Sequence, residues 1–202
     1  VDLVNIVHFT RQIGVCAGRR IKNGELRDFI EVAGRESVWI LLEVGAHAWL
    51  EANEGHYDVI VVDFPDPSNF AIGKLYTTAF YTLLDRHLAA SGYAVVQTTS
   101  PLVARQSFWI VAATLEAAGL TTTPYHAHVP SFGEWGFIVA SHRPFTPAVT
   151  PLPAGLRFLT PDTLPLLFDF PADMARVPAE VNRLSNQVLV RTFEEEWGRV
   201  HQ

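Results

Sequence analysis

The chain reads as an α/β protein on a mostly parallel sheet. Three observations predict this. Short β-branched runs alternate with longer stretches of helical period. One of those runs, residues 57–63 (YDVIVVD), carries a continuous aliphatic centre, as a strand covered on both faces must. The last two strand-like runs follow each other with no helix between them, the pattern of an antiparallel hairpin closing the sheet.

Element by element, residues 1–7 are apolar enough for a strand, 38–42 (VWILL) form a second apolar run, and 46–53 predict a short helix. The strand at 57–63 is broken by Pro65 and Pro67. Over 76–90, Phe80, Leu83, Leu84 and Leu88 form a helical stripe that Ser91 and Gly92 terminate. A strand at 93–97 follows. Residues 104–118 repeat the pattern with Phe108, Val111, Ala112 and Leu115, closed by Gly119. Strands at 120–125 and 135–140 complete the series. This order predicts a Rossmann-like sheet of the S-adenosylmethionine methyltransferase type, mostly parallel with a C-terminal antiparallel hairpin. Beyond Ser141, Pro144, Pro147, Pro151 and Pro153 mark a linker, and residues 177–197 predict one helix or two, with Val181, Leu184, Val188, Leu189 and Phe193 apolar. The expected organisation is a catalytic domain over 1–143, atypical across 4–44, and a Pro-rich linker with a helical tail over 144–202.

Composition narrows the function classes. With 202 residues, 49% hydrophobic and 18% charged, the chain is too apolar for disorder and long enough for a real core. Lys and Arg number 15 against 21 Asp and Glu, a formal net charge of −6, which argues against a broad phosphate-neutralising surface and so against a nucleic-acid partner. Cationic or small partners fit better. Cys16 stands alone, so no internal disulfide forms, and no Cys/His spacing matches a zinc site. No run approaches the ~18 apolar residues of a membrane span. A reducing, cytoplasmic setting is expected for this chain, without metal. It opens on Val1, as a piece of something longer would.

Asp63-Phe64-Pro65-Asp66-Pro67 follows the strongest strand directly. Ligands in open α/β sheets sit at the carboxyl ends of strands, so two carboxylates three residues apart, beside prolines of fixed φ, stand where sites are built. Such a pair suits an amine: one acid takes a proton from an ammonium while the other stays ionised and holds a second positive end. A turn in which Asp caps backbone N–H groups is the alternative reading.

The run Asp63-Phe64-Pro65-Asp66-Pro67-Ser68-Asn69-Phe70-Ala71-Ile72-Gly73-Lys74-Leu75-Tyr76 closely resembles the signature loop of the spermidine synthases, the polyamine aminopropyltransferases, in particular the long bacterial form with an N-terminal membrane region. The likeness continues at 95–101 (VVQTTSP), 108–109 with 114–119, 124–126, 129–137 (VPSFGEWGF), 170–174 (FPADM) and 181–184 (VNRL), so that about residues 46–202 look like this family. The resemblance implies transfer of an aminopropyl group from decarboxylated S-adenosylmethionine, a co-substrate and not a tightly bound cofactor, to putrescine. The products would be spermidine and methylthioadenosine. It implies Asp63 as the catalytic acid that accepts the amine proton and Asp66 as the acid that orients the attacking amine. On the substrate side it also implies Gln97, Ser131, Phe132 and Glu134. On the donor side it implies Asp2 at the ribose hydroxyls and Phe64, Phe70 and Ala71, with Phe70 and Ala71 against the adenine. A homodimer is expected as well.

Several positions keep a second reading. Gln97 could serve only backbone hydrogen bonds, Phe70 and Ala71 could be loop core, and Glu134 could be a partly buried acid paired with a nearby base. Ser131-Phe132 replaces the Thr-Tyr pair of many relatives, so no hydroxyl stands at Phe132. His126 and His128 alternate on one strand face, but no carboxylate accompanies them in the sequence, and ordinary polar positions near the pocket rim are expected. The chain starts at what resembles the second strand of the family fold, which places the first strand and glycine-rich loop upstream. Residues 4–44 match no family pattern and read as rearranged, and Gly45 stands where relatives hold the adenine amino group with an acid. Two other functions fit part of this: an S-adenosylmethionine-dependent amino-methyltransferase, which also builds an Asp/Asn-Pro-Pro-aromatic loop, and a non-catalytic remnant or dimerisation domain.

Overall fold

A computed structural model of the chain describes residues 46–145, 152, 156 and 158–199, and the backbone of 39–42. The expected strand at 1–7, Asp2, Cys16, Gly45 and most of the Pro-rich linker lie outside the described residues.

Five strands form one sheet among the described residues: β1 (Trp39–Leu42), β2 (Tyr57–Val62), β3 (Leu88–Gln97), β4 (Thr121–Val129) and β5 (Gly133–Ser141). Their order is β1-β2-β3-β5-β4. β1, β2 and β3 run parallel, and β5 pairs antiparallel with both β3 and β4. This is the mixed sheet with a terminal hairpin that the alternation of periods predicts. β4 lies at one edge of the sheet, which is why it tolerates Pro124 opposite Ile138.

Burial follows from the residue types. Val59, Ile60, Val61 and Val62 are each at most 3% exposed, so the aliphatic run of β2 is covered on both faces. One face packs against α3 (Thr78–His87) and α4 (Arg105–Ala117) through Phe80, Tyr81, Leu84, Phe108, Val111 and Leu115. On the other face Val95, Tyr125, Phe137 and Val139 meet Leu159, Leu164 and Leu167. Two shorter helices precede these in the chain, α1 (Ala46–Ala52) and α2 (Phe70–Gly73), the latter running into a 3-10 turn at Lys74–Tyr76. No helix among the described residues is long and apolar enough to cross a membrane.

Two expectations are corrected. The helix predicted over 76–90 ends at His87, and Leu88 already begins β3. Leu88 pairs with Tyr57 and Tyr93 with Val59, so residues 89–92 bulge out of the ladder. Gly92 belongs to that bulge and does not cap a helix: a Cβ there would lie 2.8 Å from the Tyr57 carbonyl oxygen. The tail contains a single longer helix, α6 (Val188–Gly198), after the one-turn α5 (Thr163–Leu166). Residues 177–187 carry no helix: Pro178 interrupts any helical ladder, Leu184 is 54% exposed, and it is the polar Asn182 that is buried.

The tail is bound tightly to the sheet domain. Arg105 Nε donates to Ala175 O (2.6 Å), Trp109 Nε1 to Met174 O (3.0 Å) and His126 N to Leu167 O (2.9 Å). Ala104, at the start of α4, supplies no side-chain cap. Glu196 of α6 does so instead, accepting from Gln106 N (2.7 Å), Ser107 N (2.9 Å) and Ser107 Oγ (2.7 Å). A carboxylate at a helix N-terminus satisfies orphan N–H groups and meets the positive end of the dipole.

Candidate active site

Because β5 runs against β2 and β3, its N-terminal end lies on the edge where those two strands finish. Asp63 and Asp66 therefore follow β2, Gln97 ends β3 opposite Phe137, and the turn carrying Ser131 and Phe132 with Glu134 rises beyond that pair, all on one edge of the sheet. Thr98 fastens β3 to the hairpin: its N–H (3.0 Å) and Oγ1 (2.7 Å) donate to Gly136 O, and Gly136 N returns a bond to Thr99 O (3.1 Å).

The acid loop is held from beneath. Asn69 caps α2 by accepting from Ile72 N (3.0 Å), and Ser68 N donates to Asp66 O (2.6 Å). The buried Tyr76 hydroxyl donates to Pro65 O (3.1 Å), with Phe64 O at 3.4 Å. Burial, with Tyr81, Asp66 and Asp63 adding smaller contributions, pushes the Tyr76 phenol well above its usual pKa, so it stays a donor. Asp66 is half-buried, and loss of water raises its pKa from 3.8 to about 6. Asp63, also half-buried, sits at the strand end.

The remaining expected residues fall in different environments. Phe70, 60% exposed, and Ala71, exposed, stand on the open side of α2. Phe64 is 2% exposed, its ring edge-on to Tyr76 and Phe80, so the residue belongs to the core and not to an open donor surface. Ser131 is exposed, and Phe132, 40% exposed, leans on the Trp135 ring at 5.1 Å. Asp2 lies outside the described residues.

His126 does have a carboxylate partner, which agrees with the second reading of Glu134 as an acid paired with a nearby base. Its Nδ1 is hydrogen-bonded to Glu134 Oε1, and its Nε2 donates to Asp169 O (2.7 Å). β4–β5 pairing brings these residues together, which linear spacing does not show. Among the described residues no group of three or more His, Cys, Asp or Glu could hold a metal ion. Sequence reasoning also missed Tyr76 as the support of the acid loop and Glu196 as a cap. Neither has a local signal, because the partners of Glu196 lie 89 and 90 residues away and those of Tyr76 are backbone carbonyls.

Comparison with known proteins adds to this geometry. Residues 33–150 match the family model described as the spermine/spermidine synthase domain. That match takes in residues 33–44, which correct the reading of 4–44 as wholly unmatched. The polyamine aminopropyltransferase of Leptospira interrogans is 44% identical over 179 residues, 89% of this chain and 36% of that protein. Polyamine aminopropyltransferase 2 of Ralstonia nicotianae is 52% identical over 162 residues, 79% of this chain and 32% of that one. This chain thus spans about a third of the length of these curated relatives. Among solved structures, the spermidine synthase from Thermotoga maritima is similar in fold, with a TM-score of 0.50 and 18% identity over 62% of this chain and 43% of that one.

Proposed function

Since the chain belongs to the spermine/spermidine synthase family, we propose that its acid loop serves aminopropyl transfer from decarboxylated S-adenosylmethionine to putrescine, giving spermidine and methylthioadenosine. The observation that carries this reading is the pair Asp63 and Asp66 on one loop at the carboxyl end of β2, Asp66 with its pKa raised to about 6. The names of the relatives support the same class of reaction.

The chemistry asks for such a pair. A sulfonium makes the adjacent aminopropyl carbon electrophilic, but an ammonium has no lone pair with which to attack it. In the proposed step Asp63 accepts one proton from the amine and Asp66 holds the nitrogen in line. The nitrogen lone pair forms the new C–N bond, the C–S bond breaks with its electrons going to sulfur, and the sulfonium charge disappears. One proton is released overall. A bound cation lowers the Asp66 pKa again, so amine binding and ionisation of Asp66 reinforce each other. Gln97 supplies a neutral donor and acceptor at the neighbouring strand end, and Phe70 and Ala71 offer an apolar surface to a flat base.

The test is product identity. The chain is incubated with putrescine and either decarboxylated or ordinary S-adenosylmethionine. Methylthioadenosine formed only from the decarboxylated donor supports the proposal; S-adenosylhomocysteine from the ordinary donor would make the chain an amino-methyltransferase, and neither product would make it non-catalytic.

A further inference from the structure

Asn182 is fully buried and tied to five elements. Its Nδ2 donates to Tyr76 O (3.0 Å) and, at longer range, to Gly73 O (3.4 Å). Its Oδ1 accepts from Leu189 N in the first turn of α6 (3.2 Å). Its backbone N–H donates to Thr114 Oγ1 on α4 (2.9 Å), and its carbonyl accepts from Thr78 N at the start of α3 (3.1 Å). A buried amide with each group matched fixes its neighbours firmly, because any displacement leaves a desolvated donor or acceptor without a partner.

What Asn182 grips is the end of the acid loop. Tyr76 receives its Nδ2, and the hydroxyl of the same tyrosine reaches Pro65 O, the carbonyl that lies between Asp63 and Asp66 in the chain. The contact is close along the whole seam. A Cβ on Gly73 would lie 2.5 Å from Val190 Cγ2 and 2.7 Å from Gln187 Oε1, so the start of α6 rests directly on the loop backbone. Gln187 itself adopts φ 46°, a left-handed conformation uncommon for a residue with a side chain. Folding accepts that strain where α6 meets the loop.

We propose that Asn182 and Tyr76 are positioning residues for the acid pair: the C-terminal segment holds Tyr76 through Asn182, and the Tyr76 hydroxyl sets the height of Asp63 and Asp66 through the carbonyl between them. The kinetic part rests on the functional reading above; the geometric part does not. Sequence motif 181–184 thereby acquires a role in the site, although it lies more than a hundred residues from the acids it serves.

Two variants and a control test this in the full chain. Tyr76→Phe removes one hydroxyl and leaves the ring. Asn182→Ala cuts the grip. Arg176→Ala breaks the exposed pair with Glu116 (2.6 Å) in the same C-terminal segment, away from the loop. The first readout is the Asp66 carboxyl titration by carbon NMR, which needs no turnover. With the loop unfastened water reaches Asp66, so its midpoint falls from about 6 by about one pH unit or more in Tyr76→Phe and Asn182→Ala, and stays in place in Arg176→Ala. The second is transfer kinetics: kcat/KM for the amine falls about tenfold or more in the two variants while KM for the donor moves less than about twofold. A purely structural role would lower thermal stability in all three and move neither readout selectively. The proposal is overturned if Tyr76→Phe folds and keeps both the Asp66 midpoint and the amine kcat/KM of the parent. Should Asn182→Ala fail to fold, Tyr76→Phe decides alone. A parent chain that makes no product refutes the transfer reaction, and the titration still decides the positioning.

Discussion

Replacing Asp66 by Asn separates the requirement of the site from that of the fold. Loss of water raises the Asp66 pKa from 3.8 to about 6. The unfolded chain holds this proton with a pKa near 4, the folded chain with one near 6, so folding favours the protonated acid. The associated stability is present in full below pH 4 and is lost as pH rises through about 6. Each pH unit between the two values corresponds to about 1.4 kcal/mol, giving a ceiling of roughly 3 kcal/mol, which partial solvent access reduces to about 1–2 kcal/mol. An Asn keeps the shape without the charge. Asp66→Asn is therefore expected to stabilise the chain by about 1–2 kcal/mol at pH 7.5, a rise in Tm of about 2–8 °C for a chain of this size, and to leave it unchanged at pH 4. Urea unfolding at the two pH values measures the difference. Equal effects at both, or destabilisation at pH 7.5, would refute burial as the cause of the shift.

Other outcomes follow from the same geometry. Because kcat/KM reports ionisations of the free enzyme, the pH profile for the amine should show a break near 6 in the parent that disappears in whatever activity Asp66→Asn retains. Glu196→Ala leaves the N–H groups of Gln106 and Ser107 without their cap and is expected to cost about 1–2 kcal/mol in urea unfolding, whereas Glu196→Gln should recover part of that loss. Gly92→Ala forces a Cβ to 2.8 Å from the Tyr57 carbonyl, an atom of the backbone that cannot swing aside. A loss of about 2 kcal/mol or more is expected by thermal denaturation, and a neutral result would mean that the bulge at 89–92 is not as described.

How much of this was legible in the residues depended on the range of the interactions. β2 was legible because burial on both faces demands a continuous aliphatic run, and 59–62 is one. The position of the two acids at the end of that strand was legible too, and strand ends are where ligands gather. Gly92 misled because a glycine that stops a helix and a glycine that admits a bulge look alike in one dimension; only the neighbouring Tyr57 carbonyl distinguishes them. The apolar spacing of Val181 and Leu184 suggested a helix, yet the hydrogen bonds of Asn182 to Tyr76, Thr114 and Leu189 hold the segment irregular. His126 found its acid across β4 and β5, in Glu134. Bonds of this kind depend on strand pairing and the path of the tail, which no local pattern records.

In the proposed reaction Asp63 and Asp66 are the place where an amine is deprotonated and aimed. Its most direct measurement is single-turnover release of methylthioadenosine from decarboxylated S-adenosylmethionine and putrescine, with the parent chain and with Asp63→Asn side by side. Release by the parent is expected, with a rate lower by about a hundredfold or more in Asp63→Asn, the usual scale for loss of a positioned base. Release by Asp63→Asn at the parental rate would contradict it.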